Sequence, residues 1–239
     1  YFKFEFSSPF FFRAPGRSPV KCSDKDIICS FHSFHRVPIT VEELQLKETT
    51  GTHQRVIDMV AHELITKERI EEWKELPGVA PGVDISRDIV KLAAIERHKN
   101  TGHVGLGFLG KYGLKKGAVA TSIGHDSHNL VIAGVTDEDM VLAGNRVIEN
   151  GGGLAIALEG KVLADLPLPI GGLMADEPVE VVDEKLEHMK KLSVELGISE
   201  DIDAFMTLAF ISLPVIPKLR LNTYGVIDVE KHQVVEARF

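Results

Sequence analysis

Apolar positions in this chain follow two rhythms, one of period two and one close to 3.6, and most of the architecture can be read from where each rhythm holds. In DIVKLAAIERH, residues 88–98, Val90, Leu92 and Ala94 fall on one side of a strand. A helical stripe through Ile85, Ile89, Leu92 and Ala93 fits as well, and the strand is preferred. Six glycines between Gly102 and Gly117 follow, a density that would weaken any helix. GAVATSIG and NLVIAGV are then two β-rich runs on either side of HDSH, the form of a hairpin with a four-residue tip. LAIALEGKVLADLPL is a second hairpin, turning at Glu159 and Gly160.

The helical rhythm appears in three places. TDEDMVLAGNRVIENGGG offers Thr136 as N-cap, acids in the first turn with Asp139 three residues on, and a glycine stop. From 177 to 196, Pro178 stands at a helix start, Val182, Leu186, Met189 and Leu192 keep helical spacing, and Gly197 follows. IDAFMTLAFISLP is apolar nearly all round and predicts a buried helix. The closing residues 213–239 are strand-like with a turn at 222–225. Hairpins interspersed with helices predict an α+β fold, a mixed, largely antiparallel sheet packed by three or more helices.

The first third is less regular. Phe2, Phe4 and Phe6 alternate with Lys3 and Glu5 as in a half-buried strand, and residues 15–26 have linker composition. Residues 31–47 suggest extended structure leading to a short turn. QRVIDMVAHELITKERIEEW reads two ways, because its first half alternates like a strand while ITKERIEEW carries helix formers and i,i+4 charge pairs. LPGVAPGVDIS is a Pro/Gly loop, and a domain boundary is expected near 77–83.

Composition narrows the classes of function. With 44% hydrophobic and 26% charged residues the chain has the balance of a soluble globular protein, and a net charge of −8 argues against a nucleic-acid partner. No run approaches a membrane span, so neither nucleic acid nor membrane is expected as a partner. Cys22 and Cys29 suggest two reduced thiols in a cytoplasmic protein, not a disulfide framework or a structural zinc site. The chain starts at Tyr1 without the pattern of a signal peptide, and eight of the twelve phenylalanines fall within its first 34 residues. Residues 1–28 are accordingly expected to be a remnant or linker of a longer protein.

HDSHN, residues 125–129, is the strongest candidate for chemistry, since a hairpin tip at a sheet rim presents polar groups to a ligand. His125 and His128 supply imidazoles for proton transfer, Asp126 a carboxylate to orient one of them, and Ser127 and Asn129 hydrogen bonds to a heterocycle edge. The competing reading is a solvated turn in which Asp126 and Asn129 cap backbone groups. Two imidazoles and one carboxylate fall short of a metal site, and none is assigned. Glu96, Arg97 and His98 end the preceding strand and either share this rim, with Glu96 as a substrate contact, or are ordinary solvated strand-end charges. AHELIT begins like a zinc-protease helix, but Thr66 and Lys67 stand where the second histidine should fall. GHVGLG lacks the helix start of a dinucleotide loop.

Taken together, IERHKNTGHVGLGFLGKYGLKKGAVATSIGHDSHNLVIAGVTDEDMVLAGNRVIENGGGLAI, LADLPLPIGGLMADEP and FMTLAFISLPVIPKLRL resemble the C-terminal region of bacterial and archaeal adenine deaminase, a branch of the amidohydrolase superfamily. The resemblance is dense from about 88 to 229, looser through SFHRVPITVEELQLK and ITKERI, and absent over 1–28. It implies hydrolysis of adenine to hypoxanthine and ammonia, with a divalent transition metal (Mn, Fe or Zn) held in an upstream (β/α)-barrel around a His-x-His pair. Nothing in these 239 residues corresponds to that barrel. It therefore implies a C-terminal α+β domain over 83–239, preceded by a connecting segment with strands over 29–82, with no cofactor of its own and inactive alone. The missing barrel, adenine and further copies in a homo-oligomer are the implied partners, and HDSHN matches the family's own string as a loop that closes the purine pocket. A non-catalytic purine-binding or assembly module is the alternative.

Overall fold

A computed structural model describes residues 33–239, apart from Glu48 and Ala61. The expectations for residues 1–28 and for both cysteines lie outside the described residues. Within them, eight strands form one sheet: β1 (His53–Met59), β2 (Thr66–Glu72), β3 (Ile89–Ile95), β4 (Val104–Gly110), β5 (Ala118–Thr121), β6 (Leu130–Gly134), β7 (Gly153–Leu158) and β8 (Lys161–Pro167). Their order is β2-β1-β4-β3-β6-β5-β7-β8. Only β1 and β4 pair in parallel, Val56 opposite Phe108, while every other neighbouring pair is antiparallel. The helices are α1 (Asp137–Glu149), α2 (Val179–Glu195) and α3 (Ala204–Ile211), and β9 (Leu219–Asn222), β10 (Gly225–Asp228) and β11 (Gln233–Val235) make a second, antiparallel sheet. This is the expected α+β fold.

The central strands are apolar on both sides because both faces are covered. Val90, Leu92, Val119, Val131 and Ile156 join the core beneath α2, α3 and the small sheet. Ala93, Ala118, Ala120, Ala155 and Ala157 alternate with them on the other face, and their short side chains admit α1 with Met140, Ala143 and Val147. Each fully buried branched side chain contributes about 1.5–3 kcal/mol. The glycines of β4 have a similar purpose, since a Cβ on Gly105 would lie 1.8 Å from the Asn222 carbonyl oxygen of the small sheet.

Local signals set the helix ends. Thr136 Oγ1 accepts from the Asp139 N–H at 3.3 Å, and Asp203 Oδ1 accepts from Phe205 and Met206 at 3.1 and 2.9 Å. Lys91, reaching from β3, meets Asp137 at the start of α1 at 2.6 Å, both side chains buried. Burial lowers the pKa of the ammonium and raises that of the carboxyl, each opposed by the other's charge.

The ambiguous segment 54–73 holds the antiparallel strand pair β1 and β2 and no described helix. The charges compatible with a helix in ITKERIEEW pair instead across and along the sheet edge, Glu68 with Arg55 at 2.6 Å, Arg69 with Asp58 at 2.9 Å and Glu71 with Arg87 at 2.6 Å. A charged edge strand also discourages sheet-to-sheet association. The 77–83 loop connects strands of one sheet, because β1 and β2 before it share that sheet with all the strands of 89–167.

Candidate functional site

The polar groups singled out in the sequence converge at one end of the large sheet. Ile95 pairs with Leu130, Thr121 with Val131 and Leu154, and Gly153 with Pro167, so the β3–β4, β5–β6 and β8–α2 connections all leave from that end. The β5–β6 connection runs from Ser122 to Asn129, longer than the four-residue tip expected. At its start the Ser122 N–H donates to the Gly153 carbonyl at 3.0 Å, while Ser122 Oγ accepts from the Gly153 N–H at 2.8 Å and donates to the Gly172 carbonyl at 2.6 Å.

Asp126 and Ser127 are exposed at the tip, whereas His125, His128 and Asn129 are half-buried. The His125 N–H donates to the Ala209 carbonyl at 2.9 Å, and its ring leans on Phe210 of α3 with centroids 4.6 Å apart. His128 has φ +48°, and its N–H donates to Gly124 O, which closes the loop on itself. The two imidazoles stand 6.3 Å apart at 61°. His128 Nδ1 and Asn129 Oδ1 are both buried without a hydrogen-bond partner.

Arg97 holds this loop from beneath. Although it lies just past the end of β3, it is 1% exposed, which removes the solvated reading for this residue. Its Nε donates to the His128 carbonyl, Nη1 to the Ser33 hydroxyl at 2.6 Å, and Nη2 to the Gly171 carbonyl at 3.1 Å, with the guanidinium 4.7 Å over the Phe34 ring. Burial lowers its pKa to about 10, opposed by the charge of Glu96, so it is still a cation at neutral pH. Gly172, at φ +74°, is required beside it, because a Cβ there would lie 2.6 Å from Arg97 Nη1.

Glu96 stands at the same rim with both carboxylate oxygens turned into its own turn. They accept from the N–H groups of His98, Lys99 and Thr101 at 2.6, 2.9 and 2.9 Å and from the Thr101 hydroxyl at 3.1 Å. Burial raises its pKa, but these donors outweigh that and hold the carboxyl at about 2. His98 Nε2 donates to the Ser127 carbonyl at 2.7 Å, tying the turn to the HDSHN loop. Burial, then the charges of Arg97, His125 and His98, lower the pKa of His128, with Asp126 opposing. A neutral His128 with a free ring nitrogen and an amide oxygen next to it make a pair of hydrogen-bonding positions suited to a ligand or to a neighbouring protein surface.

Among the described residues, no group of three or more His, Cys, Asp or Glu is arranged to hold a metal. The HDSHN donor set does not fit one either, with its rings splayed and one nitrogen enclosed. The sequence alone pointed to His125–Asn129 and to the charges at 96–98. It gave no sign of Ser33, Ser122 and Gly171, which meet their partners at the rim across 50 to 74 residues of sequence and carry no local signal.

Comparison with known proteins supplies the family. Residues 63–233 match the family model described as adenine deaminase C-terminal domain. The chain is 47% identical over 197 residues to adenine deaminase 2 of Carboxydothermus hydrogenoformans, covering 82% of this chain and 34% of that protein. It is 46% identical over 196 residues to the adenine deaminase of Kosmotoga olearia, with coverage of 82% and 34%. With that of Nitratidesulfovibrio vulgaris the identity is 48% over 194 residues, covering 80% and 33%. The chain thus spans about a third of the length of these relatives.

Proposed function

This chain belongs to the adenine deaminase C-terminal domain family, and from that premise we propose that it serves as the C-terminal domain of an enzyme hydrolysing adenine to hypoxanthine and ammonia. The HDSHN rim faces the opening of a catalytic barrel supplied outside these residues, and closes the purine pocket there. The observation that carries this reading is the pair of buried, unpartnered atoms, His128 Nδ1 and Asn129 Oδ1. Buried polar atoms without partners are costly, by about 1–3 kcal/mol each, and a bound purine offers both donors and acceptors along its edge.

Each residue of the loop then has a task. His128 and Asn129 meet the purine edge or a barrel group next to it, His125 supports the loop against α3, and Asp126 and Ser127 reach forward from the tip. Glu96 and Arg97 act behind them, the first shaping the β3–β4 turn and the second fixing the backbone of His128. A divalent metal belongs to the barrel, where it would activate the attacking water. No step involving it is assigned to this chain. A cytoplasmic homo-oligomer is part of the same proposal.

The test uses the full-length, metal-loaded protein and ammonia release from adenine. His128→Ala and Asn129→Ala are each expected to raise KM by about tenfold or more, the loss of one hydrogen bond to bound substrate. Unchanged kcat and KM in both variants would remove the loop from the site.

A further inference from the structure

A groove of about 170 Å³ opens between the β1–β2 connection and α3, lined in part by Met59, Leu64, Thr66, Met206 and Phe210. Its walls are mostly apolar and open to solvent, with Leu64 54% and Met206 46% exposed. Arg220 also lines it and is itself fully buried. Nη1 donates to the Leu219 carbonyl at 2.8 Å, and Nη2 donates to the carbonyls of Leu64 and Pro217. Nε is buried with no partner. Among the described residues no carboxylate forms an ion pair with Arg220; Glu63, exposed on the same wall, does not reach it. Burial brings the guanidinium's pKa down to about 10, so the charge persists at neutral pH.

A buried cation with a vacant donor, lining a groove whose walls are mostly apolar, is complementary to an anion on an apolar stem. A carboxylate has the acceptor geometry for a guanidinium N–H, and the walls exclude water from the stem. Met206 is unbranched and half-exposed, so it can swing aside to admit the head group.

We propose that this groove binds a small aliphatic monocarboxylate, whose carboxylate accepts from Arg220 Nε and whose stem packs between Leu64, Met206 and Phe210. The inference is independent of the deaminase reading, although Phe210 joins the two sites by packing against His125. Occupancy of the groove is therefore expected to register in the His125 ring resonances.

The test is a titration of the isotope-labelled 239-residue chain with sodium hexanoate, followed by NMR at constant ionic strength, with hexanamide as the uncharged isostere. The expected result is saturable shifts at Leu64, Met206 and the Arg220 Nε–H, with hexanamide at least about tenfold weaker. Met206→Glu, a surface change that puts a like charge at the groove mouth, should abolish binding with the fold intact. Glu63→Gln should strengthen it about twofold by removing a repelling charge. Equal affinity for hexanoate and hexanamide, shifts that do not saturate, or full binding by Met206→Glu would each overturn the proposal.

Discussion

Arg97 and Arg220 are both buried, both without a carboxylate ion-pair partner among the described residues, and both shifted to a pKa of about 10 by desolvation. They differ in one respect. Every nitrogen of Arg97 has an acceptor, drawn from three separate parts of the chain: Ser33, His128 and Gly171. Arg220 satisfies its two terminal nitrogens on backbone carbonyls close to its own strand or on the β1–β2 connection, and leaves Nε empty beside a groove. A buried guanidinium with its donors filled acts as a clasp for backbone segments, whereas one with a vacancy at an open groove is suited to a ligand. The distinction separates the candidate site's scaffold from the second candidate site.

Replacing each arginine tests that distinction most directly. Arg97→Met strands the carbonyls of His128 and Gly171 and the Ser33 hydroxyl, and is expected to cost about 3 kcal/mol in urea unfolding. Arg220→Met removes an incompletely satisfied charge along with its bonds, for a loss of about 1 kcal/mol. Equal losses would erase the contrast. Gly172→Ala should cost about 2 kcal/mol, from the left-handed backbone and the collision with Arg97. In the Arg97→Met background most of the collision disappears, so a double-mutant cycle should show clear non-additivity, and strict additivity would place the strain elsewhere.

The smallest expected effect concerns the turn that brings Arg97 to the rim. The Glu96 carboxyl sits at about 2 in the folded chain against an ordinary value of 4.5. Its stabilisation is complete above pH 4.5 and is lost as pH falls through about 2. After allowing for screening at this partly exposed site, that is on the order of 1 kcal/mol. Glu96→Gln should therefore lower stability at pH 7 and flatten its decline between about pH 5 and 2. A decline as steep as in the unsubstituted chain would assign the acid sensitivity to other groups.

Much of the site is legible in the order of residues. HDSHN between two β-rich runs locates the loop, and the charges at 96–98 locate its neighbour. What stays hidden there is the sense in which each residue is used. Glu96 and Arg97 are adjacent and both charged, yet one folds back on its own turn and the other lies fully inside the protein. Strand alternation sends successive side chains in opposite directions, but which direction meets solvent depends on what covers each face. Here residues 33–34 and the Gly171–Gly172 turn cover Arg97, and neither is near it in sequence.

The chain's own order of residues determined the elements whose signals are local. Thr136 with its following acids starts α1, Glu159 and Gly160 turn the second hairpin, and a short, almost wholly apolar run makes β3. These depend on backbone preferences and on contacts a few residues apart, which a short window contains. Tertiary structure alone decided that TKERIEE would be a strand, that β1 would lie parallel beside β4, and that Arg220 would be buried with one nitrogen unfilled. Those outcomes rest on burial and pairing between segments tens to more than a hundred residues apart, and such free energy exists only once the sheet has closed over its core.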